Sequence, residues 1–241
     1  YANRFNQRKQ LTFSGDAKLS YEITKGLIAS VFGSYQRNSW DDRYYRSTQD
    51  YQQYNSGSPY FGTGYAYKGS HLDFTQTVEP TITYSTEIAE HSFELLGGYS
   101  YQYSATENYS MDNSGFTTDG FEDWNFGAGN AITDIDLPRP NMSSFKEDNT
   151  LIAYFTRLSY NYLDRYFLQA SVRHEGSSRF GANNKWASFP AISGAWLISD
   201  ENFMEGASWV NNLKLRAGFG VTGNQGIPNY QSIVTLGTGG K

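Results

Sequence analysis

The stretch QLTFSGDAKLSYE at residues 10–22 decides the fold, because its apolar and polar side chains alternate without a break. Every odd position from Leu11 to Tyr21 is apolar or small, and every even position from Gln10 to Glu22 is polar or charged. Successive side chains of a β-strand point to opposite faces, so this period predicts a strand with one apolar face. A strand over residues 10–23 spans roughly 45 Å, and a tilt of about 45° leaves roughly 30 Å of height, which matches a bilayer core.

The same unit recurs along the chain and predicts four hairpins of two strands each. We place the strands at residues 10–23, 27–35, 72–84, 93–103, 152–162, 166–175, 186–198 and 213–222. The turns within hairpins are short, except for the last at residues 199–211. The links between hairpins, at residues 37–71, 104–148 and 175–185, are polar, and the first two are long. This asymmetry is typical of an outer-membrane barrel, so the sequence predicts an all-β fold: an antiparallel up-and-down transmembrane β-barrel, of which these eight strands form a part.

Composition excludes several classes of function. The 241 residues hold no cysteine, which rules out a disulfide scaffold, a cysteine-ligated zinc site and a cysteine nucleophile. A formal net charge of -5 provides no positive field for binding nucleic acid. A mean hydropathy of -0.61 and the lack of an apolar run of about 18 residues exclude a transmembrane helix. They leave a membrane β-barrel open, because its strands are half polar.

The alternation does not by itself say what the apolar face meets, because a soluble barrel or sandwich has the same period. Aromatic residues gather in two groups, as in the two aromatic girdles of a membrane barrel. These are Tyr21, Tyr84, Phe93, Tyr160, Tyr162, Tyr166 and Trp196 near the short turns, and Tyr35, Trp40, Phe74, Tyr101, Tyr103 and Trp186 near the long loops. The grouping favours lipid outside and water inside. A soluble all-β carbohydrate-binding or adhesive module and a passive porin wall remain as alternatives.

Residues 151–225 resemble the SusC/RagA family of TonB-linked outer-membrane proteins of Bacteroidetes. Two stretches carry the resemblance, YNYLDRYFLQASVRHEGSSRFGANNKWASFPAISGAWLISDENFM at residues 160–204 and WVNNLKLRAGFGVTGNQGIPNYQSI at residues 209–233. One position departs from the family motif, which usually has Asp before the Gly-Ser-Ser-Arg-Phe-Gly run. This sequence has His174 and Glu175 there.

The resemblance implies a TonB-dependent receptor barrel of about 22 strands that follows an amino-terminal plug, in the outer membrane of a bacterium. It implies active import of glycans or oligopeptides, with TonB, a SusD-like surface lipoprotein and outer-membrane lipid as partners. On this interpretation residues 1–241 are barrel wall, and the plug domain and the carboxy-terminal closing strand are absent from them. The first residues, YANRFNQRKQ, contain neither a start methionine nor a signal peptide, in agreement with a piece of a longer protein.

The stretch from Trp40 to Tyr67 is the best candidate for binding a solute. Its aromatic rings are spread among Asp, Gln, Asn and Arg, a combination that suits the capture of sugars or peptides. The candidate substrate-binding residues, expected in an extracellular loop, are Trp40, Tyr44, Tyr45, Tyr60, Tyr65 and Tyr67. The alternative is that these rings pack the loop upon itself or against a partner.

No catalytic or cofactor site follows from the sequence. The stretch GFGVTG at residues 218–223 satisfies GxGxxG, but it ends an alternating strand instead of opening a helix, so we assign no nucleotide site. GxSxG, Walker and HExxH motifs are absent, and the three histidines have no metal-ligand spacing. Asp112, Asp119 and Asp123 are weak candidates for a loop calcium site, and a solvated acidic loop is the alternative. We therefore expect no enzyme activity and no resident cofactor.

Overall fold

The computed structural model describes residues 4–50, 63–136, 139–207 and 209–231, and within them eight strands form. The strands are β1 (Arg4–Thr24), β2 (Leu27–Arg46), β3 (Gly64–Ile88), β4 (His91–Phe116), β5 (Met142–Tyr162), β6 (Tyr166–Ser177), β7 (Trp186–Leu197) and β8 (Lys214–Gly220). Short 3-10 helices lie at Phe126–Ala128, Asn130–Ile132, Ile198–Asp200 and Asn202–Met204. None of the helices in these described ranges is long and apolar enough to cross a membrane.

The strands pair antiparallel in chain order, from β1 to β8, in one sheet, which confirms the predicted up-and-down topology. The register of β5 to β8 places Leu158 opposite Ala170, Ala170 opposite Ile192, and Ile192 opposite Phe219. Residues that pair across strands share a face, so these four side chains form one apolar row. The register also places Ile192 and Trp196 of β7 on the same face as Leu168 and Ala170 of β6.

The predicted boundaries of the first five strands were wrong at the long-loop end. The structure starts β1 at Arg4, continues β2 to Arg46, starts β3 at Gly64, continues β4 to Phe116 and starts β5 at Met142. The links between hairpins are therefore residues 47–63 and 117–141, not 37–71 and 104–148. The added segments carry polar and aromatic side chains on both faces, with Tyr45, Ala66 and Phe116 buried, so they lack the strict apolar–polar alternation that predicts a strand.

The chain divides into two compact units. The first unit contains Tyr1–Ser14, Tyr35–Thr75 and Ser104–Asp148, and the second contains Gly15–Ser34, Gln76–Tyr103 and Asn149–Lys241. The first unit has a small core, in which Tyr45, Ala66 and Phe116 are buried with Phe5, Phe126 and Ala128 packed against them. Residues 117–136 contribute Phe126 and Ala128, so part of the link after β4 packs on the ends of the strands.

The second unit contains the hairpin turns. Gly26, in the turn after β1, has a φ of +80°, and its carbonyl accepts a hydrogen bond of 2.8 Å from the Ser85 N–H. The turn after β5 holds Leu163 and Asp164 at φ values of 55° and 54°. Left-handed backbone at both positions twists the hairpin in the sense that its strands need. The long connection after β7 contains the 3-10 helices Ile198–Asp200 and Asn202–Met204.

The apolar face of the second unit is open. Leu19 is 77% exposed, Ile192 53% and Phe219 73%, and among the described residues no second sheet covers them. A soluble sandwich or a dry barrel centre buries such side chains, because exposed apolar area of this extent is unfavourable in water. The exposure therefore argues against the soluble-module alternative.

Candidate functional site

A polar network crosses four strands of the first unit on one face, which we call the upper polar face. It begins on β1, where Arg8 donates two hydrogen bonds to Asp42 of β2, at 2.6 and 2.8 Å. Gln10 and Thr12 both donate to Asn38, each at 2.9 Å. Because these residues all occupy even positions of β1 and β2, strict alternation puts them on one side of the sheet.

Trp40 lies at the centre of this face. Its ring stacks on the His71 imidazole, with ring centroids 3.8 Å apart, and the Arg8 guanidinium lies 5.3 Å from its centroid. In the strand order, β2 lies between β1 and β3, so Arg8 and His71 flank the indole from two sides. The indole edge is what remains for a solute, which favours hydrogen bonding over stacking on the ring faces.

The network continues through the histidine to β4. His71 Nε2 lies 2.9 Å from one carboxylate oxygen of Asp73. The other carboxylate oxygen accepts a hydrogen bond of 2.7 Å from the Thr106 hydroxyl. Asp73 thereby holds the orientation of the His71 ring, and the stacked His71 ring holds the position of the Trp40 indole. His71, Arg8 and Asp73 were missed by the sequence reasoning, because no local motif links residues this far apart in the chain.

Of the six candidate binding residues, five lie on strands and not in the predicted loop. Trp40, Tyr44 and Tyr45 belong to β2, and Tyr65 and Tyr67 belong to β3. The loop placement was therefore wrong for these five, and Tyr60 lies outside the described residues. Tyr44 and Tyr65 pack edge to face, with centroids 5.9 Å apart, on the upper polar face.

Tyr45 is different, because it is buried. It points away from its neighbour Tyr44, and its hydroxyl donates 2.7 Å to Asp119 in the link after β4. The Thr48 N–H and hydroxyl also donate to Asp119, at 2.9 and 2.8 Å. Burial by itself raises the pKa of Asp119, but these three hydrogen bonds outweigh it and lower the pKa below its ordinary value. Tyr45 holds the link in place and is not available to a solute.

A second carboxylate, Asp123, anchors the same link. Asp123 is fully buried and receives two hydrogen bonds from Arg43, at 2.5 and 2.6 Å, with Lys68 3.4 Å away. Both cations also lie against the Trp124 ring, at 4.1 and 4.6 Å from its centroid. Burial raises the pKa of Asp123, but the hydrogen bonds and charge of Arg43, together with the charge of Lys68, lower it below its ordinary value.

The three calcium candidates do not form a metal site in the described part of the chain. There, no group of three or more His, Asp and Glu side chains is placed to hold a metal ion. Asp119 and Asp123 make the bonds given above, and Asp112 on β4 accepts 3.0 Å from the Asn141 N–H. Each of these carboxylates therefore accepts at least one hydrogen bond from the protein.

The polar face of the second unit carries paired charges. Arg157 donates a hydrogen bond of 3.0 Å to Glu94, and Arg173 donates one of 2.6 Å to Glu175. Lys18, Glu79 and both arginines line an open cavity of about 520 Å³. His174, unexplained by the sequence, packs parallel to Trp186 at 5.0 Å on the opposite face.

The two stretches that carry the family resemblance are joined in the structure. Arg179, after β6, donates 2.9 Å to the Asn229 side chain and 3.0 Å to the Gln225 carbonyl, both after β8. Gln225 donates in turn to Glu175. These contacts join the segment after β6 to the segment after β8, at one end of the sheet.

Several known proteins are similar to this chain in sequence and in fold. TonB-dependent receptor P3 of Formosa agariphila is 30% identical over 230 residues, 95% of this chain and 22% of the relative. TonB-dependent receptor SusC of Bacteroides thetaiotaomicron is 29% identical over 217 residues, 88% of this chain and 19% of the relative. The structure of the RagAB peptide transporter superposes with a TM-score of 0.83 at 22% identity, covering 95% of this chain and 24% of that one. The chain is a SusC/RagA-like segment of a TonB-dependent receptor barrel.

This receptor segment spans about a fifth of the length of the curated relatives it matches. No family model matches it. The predicted barrel fold is confirmed, since the superposition covers nearly all of the chain. The relatives are named as receptors and a transporter, and none of these names describes an enzyme.

Proposed function

We propose that this TonB-dependent receptor segment is part of the wall of an importer in the bacterial outer membrane. Its apolar face meets lipid, and its polar face lines the passage for the solute. The observation that carries the proposal is the register of β5 to β8. It sets Leu158, Ala170, Ile192 and Phe219 in one row and Ser159, Gln169, Ser193 and Gly218 in the next. The apolar row is largely exposed, which is favourable in hydrocarbon and unfavourable in water.

The solute in this proposal is an oligosaccharide or an oligopeptide. The relation to SusC and the likeness to the RagAB peptide transporter support this class. TonB would act through a plug encoded outside this chain, and a SusD-like surface lipoprotein would cover the long-loop end. Both partners belong to the proposal for the whole receptor, since this chain spans about a fifth of the length of its relatives.

The upper polar face is the part of this wall that we propose meets the solute. Trp40, Tyr44, Tyr65 and Tyr67 lie on it among charged and amide side chains, all partly exposed. Aromatic edges next to fixed hydrogen-bonding groups bind flexible polar chains at low entropic cost. Tyr45 is excluded from this role because it is buried, and no calcium ion is part of the proposal.

Blocking the passage from one face tests the proposal. In the full-length receptor, with any other cysteine replaced, Ser193→Cys and Ile192→Cys each receive a bulky maleimide, and TonB-dependent uptake of labelled oligosaccharide or peptide is measured. We expect the group at position 193 to reduce uptake and the group at position 192 to leave it unchanged. Equal uptake with both labels, or uptake that persists without TonB, would contradict the proposal.

A further inference from the structure

Arg46 is the last residue of β2, and its guanidinium has no carboxylate partner among the residues that the structure describes. Its Nε–H is buried and donates no hydrogen bond, since among the described residues no acceptor lies within reach. The contact that the structure gives this side chain is with the Tyr65 ring, 5.4 Å from the guanidinium carbon to the ring centroid. A buried charged donor without a hydrogen bond is unfavourable, and in a native protein it calls for an explanation.

Three other arginines on β1 and β2 of the same unit show the contrast. Arg4 pairs with Asp50, Arg8 with Asp42 and Arg43 with Asp123, each through two nitrogen-to-oxygen hydrogen bonds. In each pair the planar fork of the guanidinium meets the two oxygens of a carboxylate, the geometry that arginine favours. Arg46 is partly buried like Arg43, and it lacks this partner within the described ranges.

The aromatic contact orients Arg46 without using its donors. A guanidinium over a ring interacts through its own face, so the N–H groups, which lie in the guanidinium plane, stay free to donate. Tyr44 packs against Tyr65 edge to face and holds the ring. Arg46, Tyr44 and Trp40 occupy alternate positions of β2 and so lie on the upper polar face, which we propose meets the solute.

We infer that Arg46 binds a carboxylate group of the imported solute, an inference that rests on the proposed import function. The carboxylate would supply the acidic partner that Arg4, Arg8 and Arg43 already have. Two kinds of solute supply such a group, a glycan that contains uronic acid and a peptide with its terminal carboxylate. In either case the receptor binds the acidic form more tightly than a neutral form of the same size.

The test measures binding to the full-length receptor in detergent by calorimetric titration. One arm compares trigalacturonate with its methyl ester, and the other compares a tetrapeptide with its carboxy-terminal amide. We expect the wild-type receptor to prefer the acidic form in one arm, which identifies the source of the carboxylate. Arg46→Gln should weaken binding of that acidic form by about tenfold or more and leave the neutral form unchanged. Arg46→Lys should fall between, because it keeps the charge but loses the planar fork.

The control is Arg37→Gln, which removes the same charge from an exposed, odd-numbered position of β2. It should leave both affinities unchanged, and retained heat-modifiable migration on a gel shows that each variant is folded. Two results overturn the inference: no preference for the acidic form in either arm, or equal weakening of acidic and neutral forms by Arg46→Gln. TonB-dependent uptake by the wild-type receptor is measured separately, so a failure at Arg46 is distinguishable from a failure of the import function.

Discussion

Arg43 of β2 and Asp123, eighty residues later, form a two-bond ion pair with distances of 2.5 and 2.6 Å, and the carboxylate is fully buried. Together with the bonds from Tyr45 and Thr48 to Asp119, this pair joins the link after β4 to the end of β2. The link therefore packs within the first unit. It contacts the face of β2 that is opposite the upper polar face.

Asp123→Asn should loosen this link. The change leaves Arg43 opposite an uncharged partner, and breaking a buried pair in this way costs about 3 kcal/mol. Hydrogen exchange of residues 117–136 in the full-length receptor should accelerate by about a hundredfold. Glu122→Gln, an exposed neighbour with the same charge change, is the control and should have little effect. Unchanged exchange in Asp123→Asn would show that the pair does not hold the link.

The link should also respond to acid. Both Asp119 and Asp123 have a pKa lowered by their partners, so their contribution to stability is complete above the unfolded value of about 4. It is lost as the pH falls through the lower, folded-state pKa values. Protection of residues 117–136, corrected for intrinsic exchange, should be constant from about pH 8 to pH 5 and decrease below about pH 4. A loss of protection centred between about pH 5 and pH 7 would assign the switch to another group.

Gly26→Ala should destabilise the first hairpin. The position has a φ of +80°, and a Cβ there would lie 2.2 Å from the Ser85 carbonyl oxygen. Strain at such a position and the displacement of Ser85 should cost about 2 kcal/mol of unfolding free energy in urea. Gly33→Ala on β2 is the matched control, because its Cβ would meet the nearest atom, the Thr77 carbonyl oxygen, at 3.9 Å. Equal stability of both variants would mean that the turn tolerates a side chain.

Leu19→Arg should destabilise the folded barrel more than Ser20→Arg does. A charge on the lipid face costs about 2 to 4 kcal/mol near the bilayer midplane. Ser20 lies on the other face, where its hydroxyl bonds to Ser30 at 2.9 Å, so its replacement should cost about 1 kcal/mol. Urea unfolding of the full-length receptor in lipid vesicles measures both. Equal costs would argue against the assignment of the two faces.

The sequence predicted the strands that cross the apolar layer and missed their polar extensions. Residues 10–23 alternate as a strand between hydrocarbon and water is expected to do, and the structure keeps them within β1. Residues 37–46 and 104–116 do not alternate between apolar and polar side chains, so the sequence pattern did not predict their strand structure. Backbone pairing with a neighbouring strand, which composition does not record, determines these segments.

The site was predicted by residue type and corrected in position. Aromatic density drew attention to Trp40, Tyr44 and Tyr65, and the structure places all three on one face. Tyr45 has the same residue type and similar neighbours in the sequence. The strand period turns it to the other face, where Asp119 accepts a hydrogen bond from its hydroxyl. The ion pair of Arg43 with Asp123 had no sequence signal, because it depends on how residues 117–136 fold back.

The two faces of β6 meet different surroundings in a barrel wall, lipid on the apolar side and water on the polar side. Nitroxide labels at Leu168→Cys and Gln169→Cys in the full-length receptor, reconstituted in lipid bilayers, report collisions with oxygen, which concentrates in lipid, and with a water-soluble nickel chelate. Leu168 pairs with Tyr160 and Gly194, and Gln169 pairs with Ser159 and Ser193. We expect position 168 to favour oxygen and position 169 to favour the nickel chelate. The reverse pattern, or the same pattern at both positions, would contradict a barrel wall with lipid on its apolar side.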